Sequence, residues 1–148
     1  MNKTLILVDL ENQWSDKDSD YFVGDISEII EKTNELIDFC RKENYKIIFI
    51  RHVEKDSDKV ITKYKISSFY KTNLEKELEG IKEIVICGIL TNLCVRSLIE
   101  EAYDREFNII VIKDCCVAFN KETQEFTFKD LKSTREEIEF LNLIEFIR

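Results

Sequence analysis

Short unbroken apolar runs alternate along this chain with stretches where apolar side chains recur every three or four residues. Lys3–Val8 (KTLILV) stops abruptly at Asp9, as expected of a parallel strand buried on both faces. Residues 46–50 (KIIFI), 83–87 (EIVIC) and 108–112 (NIIVI) repeat the pattern. Between the first two runs, Ile26, Ile29, Ile30, Ile37 and Cys40 share one side of residues 25–43 and charges occupy the other, which predicts an amphipathic helix. Val95, Leu98, Ile99 and Ala102 predict a second helix, with Cys94 on the same face, and residues 72–78 a shorter one. Residues 137–148 fit helix or strand equally well.

Apolar strands alternating with amphipathic helices imply βαβ units joined by right-handed crossovers. The expected fold is α/β: a three-layer, doubly wound, mainly parallel sheet with helices on both faces. With no proline and three glycines, no linker interrupts the chain, and residues 1–148 are expected to form one domain. Open α/β sheets bind ligands beyond the carboxyl ends of their strands. Asp9 and Asn12, Arg51 and His52, residues 88–94 and residues 114–116 therefore become candidates.

Composition narrows the function classes. Thirty acids against 22 bases give a net charge of −8, which opposes binding to nucleic-acid backbones. No apolar stretch approaches the ~20 residues that span a bilayer, and the amino-terminal residues do not form a signal peptide, so a cytoplasmic location without membrane contact is expected. The five cysteines, Cys40, Cys87, Cys94, Cys115 and Cys116, are odd in number and contain no CxxC. Without a secretory signal, disulfides are not expected; nor is a zinc site, because thiolate sites want closely spaced pairs with histidine and His52 is the only histidine.

One cysteine stands out by position. Residues 88–94 (GILTNLC) follow a buried strand and open a helix. A thiol in a first helical turn meets the positive end of the macrodipole, which favours the nucleophilic thiolate. Free N–H groups there can also receive an oxyanion. Such a thiol needs a proton acceptor. His52 could serve, and so could Asp9 with a cation beside it.

Three stretches in order resemble the isochorismatase-like cysteine hydrolases, a family that includes nicotinamidases, N-carbamoylsarcosine amidases and isochorismatases. Leu5-Ile6-Leu7-Val8-Asp9-Leu10-Glu11-Asn12 is similar to the family's hydrophobic strand ending in Asp. Lys63-Tyr64-Lys65-Ile66-Ser67-Ser68-Phe69, with Thr72 and Leu74 beyond, resembles its lysine, Ser-Ala-Phe and Thr-x-Leu pattern. Gly88-Ile89-Leu90-Thr91-Asn92-Leu93-Cys94-Val95 resembles its Gly-x-x-Thr-x-x-Cys-Val turn.

The resemblance implies a catalytic triad of Cys94, Asp9 and Lys63, with Lys63 preferred to Lys65 because it lies four residues before Ser67. It also implies a cis peptide between Ile89 and Leu90, and an oxyanion hole from the Leu90 and Cys94 amides. Asn12, Trp14, His52, Phe69, Thr91 and Leu93 are candidate pocket residues for a small amide, ureido or vinyl-ether substrate. A homo-oligomer, a dimer or larger, is implied too. Nicotinamidases bind a metal through an aspartate and several histidines. One histidine cannot rebuild that site, so no metal or other cofactor is expected. Only ten residues separate His52 from Lys63, so the pocket is expected to be open or completed by another subunit.

Two other classes fit parts of the chain. Val8-Asp9-Leu10-Glu11-Asn12 resembles the opening of one branch of PIN-like ribonucleases, where Asp9, Glu11 and Asp114 would hold Mg²⁺. That reading leaves Lys63 and residues 88–94 unexplained. A low-pKa cysteine at a helix start would also suit a peroxide sensor or a non-catalytic binding protein on the same fold.

Overall fold

A computed structural model describes residues 2–51 and 59–148. Six parallel strands form one sheet: β1 (Lys3–Val8), β2 (Lys46–Arg51), β3 (Lys59–Thr62), β4 (Glu83–Ile89), β5 (Asn108–Val117) and β6 (Glu139–Leu141). Their spatial order is β3-β2-β1-β4-β5-β6. The chain winds outward from β1 in one direction, then returns to start again at β4. The β1/β4 boundary is thus the point where strand order reverses, and a crevice opens there at the carboxyl ends.

The apolar runs become strands because both of their faces are covered. Every residue of β1 after Lys3 is buried, as is all of β4 after Glu83. Helix α1 (Ser27–Lys42) lies with α5 (Leu143–Phe146), the Phe39 and Phe146 rings meeting edge to face at 5.5 Å. Helices α2 (Leu74–Glu77), α3 (Arg96–Tyr103) and α4 (Lys121–Thr134) are tied together by Arg105–Glu75 at 3.4 Å and Arg96–Asp130 at 2.6 Å. On α1 the buried face is Thr33, Leu36, Ile37 and Cys40, while Ile30 is exposed.

Some elements depart from expectation. Strand β5 runs five residues past its apolar stretch, so Asp114, Cys115 and Cys116 lie within a strand and not beyond its end. Residues 137–148 divide into β6 and α5, and Asp114 Oδ1 accepts from the Leu143 N–H at 2.8 Å where α5 begins. Helix α4 escapes the apolar pattern because only Thr127 and Leu131 of its side chains are buried.

Two backbone features shape the crevice. Gly88 has φ +136°, and a Cβ there would lie 2.1 Å from the Val8 carbonyl oxygen. Only glycine lets β4 approach β1 so closely at this point. Asp9, at the end of β1, has φ 51°, a left-handed conformation that asparagine and aspartate tolerate best among residues with a Cβ.

Candidate active site

Asp9, Lys63 and Cys94 arrive from three separate connections and meet beyond the β1/β4 boundary. Asp9 leaves β1, its N–H donating to the Ile50 carbonyl at 2.9 Å. Its own carbonyl accepts from Trp14 Nε1 at 2.6 Å, so the 3₁₀ turn Asn12–Trp14 holds the left-handed residue in place. Lys63 follows β3, its N–H bonded to the Arg51 carbonyl at 3.0 Å. Cys94 lies in the π turn Thr91–Val95, which runs directly into α3.

The lysine is wholly buried, at 0% exposure, and Asp9 is 3% exposed. Lys63 Nζ stands 2.8 Å from Asp9 Oδ2 and donates to Cys94 Sγ at 3.2 Å. It also donates to the Lys65 carbonyl at 3.2 Å and the Ile66 carbonyl at 3.5 Å. A buried ammonium requires such compensation, since an isolated one would cost several kcal/mol.

The serine-rich motif explains how those carbonyls are presented. Ser67 Oγ accepts from the Phe69 and Tyr70 amides at 3.2 and 2.9 Å, while Thr72 Oγ1 donates to the Ser68 carbonyl at 2.7 Å. These local bonds fold residues 64–72 into turns. The Lys65 side chain is exposed; its carbonyl, and not its ammonium, faces the site.

Electrostatics here overturn one expectation. Burial first, then the Asp9 carboxylate, push the Cys94 thiol up from its ordinary 9.0 to about 11, and Lys63 only partly opposes them. Position in a first helical turn favours thiolate, while desolvation and an adjacent anion act in the opposite direction. A hydrogen bond to Asp9 acts in the same direction.

A pocket of about 470 Å³ opens beside the sulfur. Trp14, Leu90 and Leu93 line it, together with Asp9 and Cys94. Glu11, Gln13, Tyr21 and Phe119 also contribute, although sequence patterning did not single them out as pocket residues. They stand in connections without periodicity, and only their proximity to Asp9 or to a strand end could have suggested them. The peptide between Ile89 and Leu90 is cis.

Three of the expected pocket residues lie elsewhere. Asn12 is exposed and lines a neighbouring cavity between β1 and α1. Thr91 is fully buried, its hydroxyl donating to Gln124 Oε1 at 2.9 Å, and Gln124 Nε2 donates in turn to the Cys116 carbonyl at 2.9 Å. Gln124 of α4 thereby ties the cysteine-bearing turn to β5. Phe69 is covered by the Arg105 guanidinium, 4.0 Å from its ring centre, in a separate groove. His52 lies outside the described residues.

The metal readings find no support in the donors. Among the described residues no group of three or more His, Cys, Asp or Glu side chains is arranged to hold an ion. Asp114 pairs with Lys32 at 3.4 Å and accepts from Leu143, so it does not join Asp9 and Glu11 as a ribonuclease site would require. No helix among the described residues is long and apolar enough to cross a membrane.

Comparison with known proteins shows what the chain resembles. An Isochorismatase domain matches residues 53–138, more than half of the 148-residue chain. Nicotinamidase 3 of Arabidopsis thaliana is 36% identical over 76 residues, 50% of this chain and 38% of that protein. The isochorismatase family protein YaaI of Bacillus subtilis (strain 168) is 37% identical over 89 residues, 59% of this chain and 49% of that one. Both matches therefore span less than half of the relative's length. In fold, the chain superimposes on a cysteine hydrolase from Pseudomonas syringae pv. phaseolicola 1448A with a TM-score of 0.88, at 18% identity, covering 99% of this chain and 91% of the other. The chain belongs to the isochorismatase family.

Proposed function

We propose that the protein is a cysteine hydrolase that cleaves a small amide, ureido or vinyl-ether substrate through a covalent thio-intermediate. The observation that carries this reading is the buried Asp9–Lys63–Cys94 contact, with the pocket open on its sulfur side. Lys63 Nζ lies 2.8 Å from the Asp9 carboxylate and 3.2 Å from the Cys94 sulfur. That combination sets up proton transfer from sulfur to Asp9 at the moment of attack.

For an amide the steps balance as follows. The Cys94 S–H proton passes to Asp9 while sulfur bonds to the carbonyl carbon, and the carbonyl oxygen takes the electron pair. The Leu90 and Cys94 amides receive that oxyanion. Collapse breaks the C–N bond, and Asp9 returns the proton to the departing nitrogen, leaving a thioester. Asp9 then takes a proton from water, the hydroxide adds to the thioester carbon, and C–S cleavage gives a carboxylic acid. The proton on Asp9 goes back to sulfur.

Relatives support an amide in particular, since one of them is named a nicotinamidase. A homo-oligomer that completes the pocket belongs to the same proposal. Ammonia release from a panel of simple carboxamides and ureas tests the activity. Turnover that falls at least about a thousandfold in Cys94→Ala and in Asp9→Asn is expected for groups acting as one unit. Turnover retained in either variant contradicts the mechanism.

A further inference from the structure

Trp14 meets the site twice, through its ring in the pocket wall and through its ring N–H. The N–H donates at 2.6 Å to the carbonyl of Asp9, five residues earlier. An indole offers this donor and no acceptor; a phenyl ring in the same place would offer neither. Trp14 is 8% exposed and packs with Ile26, Ile89, Leu90 and Val117. Its backbone is fixed as well, the N–H donating to the Glu11 carbonyl at 3.2 Å and the carbonyl accepting from the Val23 N–H at 3.0 Å. The donor is thus presented from a packed ring on a bonded backbone.

Asp9 needs such a partner. Its φ of 51° is left-handed, a conformation that persists in a residue with a Cβ only where the surroundings over-determine it. Both peptide groups flanking its Cα are held, the N–H by the Ile50 carbonyl at 2.9 Å and the carbonyl by the indole. With both held, the direction of the Cα–Cβ bond is set, and with it the point from which the carboxylate reaches Lys63 Nζ at 2.8 Å. Without the indole bond the Asp9 carbonyl loses that anchor. Relaxation out of the left-handed region would then swing the Cβ and carry the carboxylate away from the sulfur.

We propose that Trp14 is a positioning residue: its indole N–H holds the Asp9 backbone so that the carboxylate stands beside the Lys63 ammonium and the Cys94 sulfur, a task separate from lining the pocket. The placement of the carboxylate stands on geometry alone. Its consequence for turnover rests on the hydrolase reading.

Two replacements in the full-length chain separate the donor from the ring. Trp14→Phe removes the N–H and part of the ring. β-(3-Benzothienyl)alanine in place of Trp14, inserted by stop-codon suppression, keeps the bicyclic shape and puts sulfur where the N–H was. Iodoacetamide labelling of Cys94 is followed against pH by peptide mass spectrometry, with circular dichroism confirming the fold. Since the Asp9 carboxylate raises the thiol, moving it away should lower the labelling midpoint by about 0.5 or more in both variants. In an Asp9→Asn background neither replacement should lower it further. An unchanged midpoint in the benzothienyl variant overturns the proposal. So does a fall of equal size in the Asp9→Asn background, which would assign the effect to uncovering the sulfur. Ammonia release from simple carboxamides separates the two readings, with kcat of the benzothienyl variant expected to fall at least about tenfold and KM to stay nearly unchanged. The midpoint shift without ammonia from the wild type counts against the hydrolase alone. Wild-type turnover with an unshifted midpoint in the benzothienyl variant overturns the positioning role alone.

Discussion

Removing one partner of the Asp9–Lys63 pair should damage the protein far more than removing both. Lys63 is 0% exposed and Asp9 3%, so neither survivor can turn to water. Breaking a buried pair typically costs about 3–5 kcal/mol, whereas replacing both charges with neutral groups of similar size is often near neutral. Asp9→Asn falls at the lower end, because the ammonium keeps the Lys65 and Ile66 carbonyls at 3.2 and 3.5 Å. Lys63→Met falls at the upper end, because it strips the carboxylate of the ammonium 2.8 Å away. A chain of this size loses ~2–4 °C of Tm per kcal/mol, so each single variant should drop by roughly 6–20 °C. The double variant should lose at least about 3 kcal/mol less than the sum of the two.

Urea unfolding followed by Trp14 fluorescence and by circular dichroism, at pH 7 and 25 °C, measures all four corners of the cycle. Strict additivity would refute the reasoning, since it would mean that the two charges do not share their compensation. Single-variant losses below about 1 kcal/mol, the range of solvent-exposed pairs, would refute the burial itself.

The remaining predictions concern the sulfur and its supports. Iodoacetamide labelling of Cys94 should keep rising through pH 7–10 towards a midpoint about 11, because burial and Asp9 push the thiol up from 9.0; Asp9→Asn should lower that midpoint and Lys63→Met raise it. Since the folded thiol holds its proton more tightly than the unfolded one, its contribution to stability is present below the ordinary 9.0 and lost as pH rises towards about 11. Alkaline unfolding of wild type against Cys94→Ala should expose that difference. Gln124→Leu removes the bonds to Thr91 and the Cys116 carbonyl, so kcat should fall with KM nearly unchanged, at a stability cost of ~1–3 kcal/mol. Gly88→Ala places a Cβ against the Val8 carbonyl and should cost about 3 kcal/mol or more, read by thermal unfolding.

Strands β1 and β4 were legible because burial on both faces leaves a continuous apolar signature, which Leu5 and Val85 illustrate; β2 shows the same apolar run although only Ile48 and Ile50 of it are buried. The second half of β5 was not, since Lys113 and Asp114 interrupt the apolar run at half-buried positions. Helix α4 was hidden for the opposite reason. Phe126 is 64% exposed while Thr127 is buried, so its apolar residues do not mark its inner face. Its Asn120 cap, whose side chain accepts from the Thr123 N–H at 2.8 Å, was the signal to use.

At the site, Asp9, Lys63 and Cys94 were readable only through the resemblance of their three stretches to the family's motifs, Lys63 by its spacing to Ser67. Thr91 was misassigned because its motif position is equally well explained by the bond to Gln124, which comes from the helix that patterning missed. The thiol's poise was illegible as well. It depends on how deeply the sulfur is buried and how close Asp9 lies, neither of which spacing encodes.

The central claim is that Cys94 forms the covalent bond to substrate. The most direct measurement mixes the protein with 4-nitrophenyl benzoate, quenches in acid and maps the acylated peptide by mass spectrometry across all five cysteines. The account predicts one benzoyl group, on Cys94, appearing with a burst of nitrophenol and absent from Cys94→Ala. A benzoyl group on another residue, or an undiminished burst from Cys94→Ala, would contradict it.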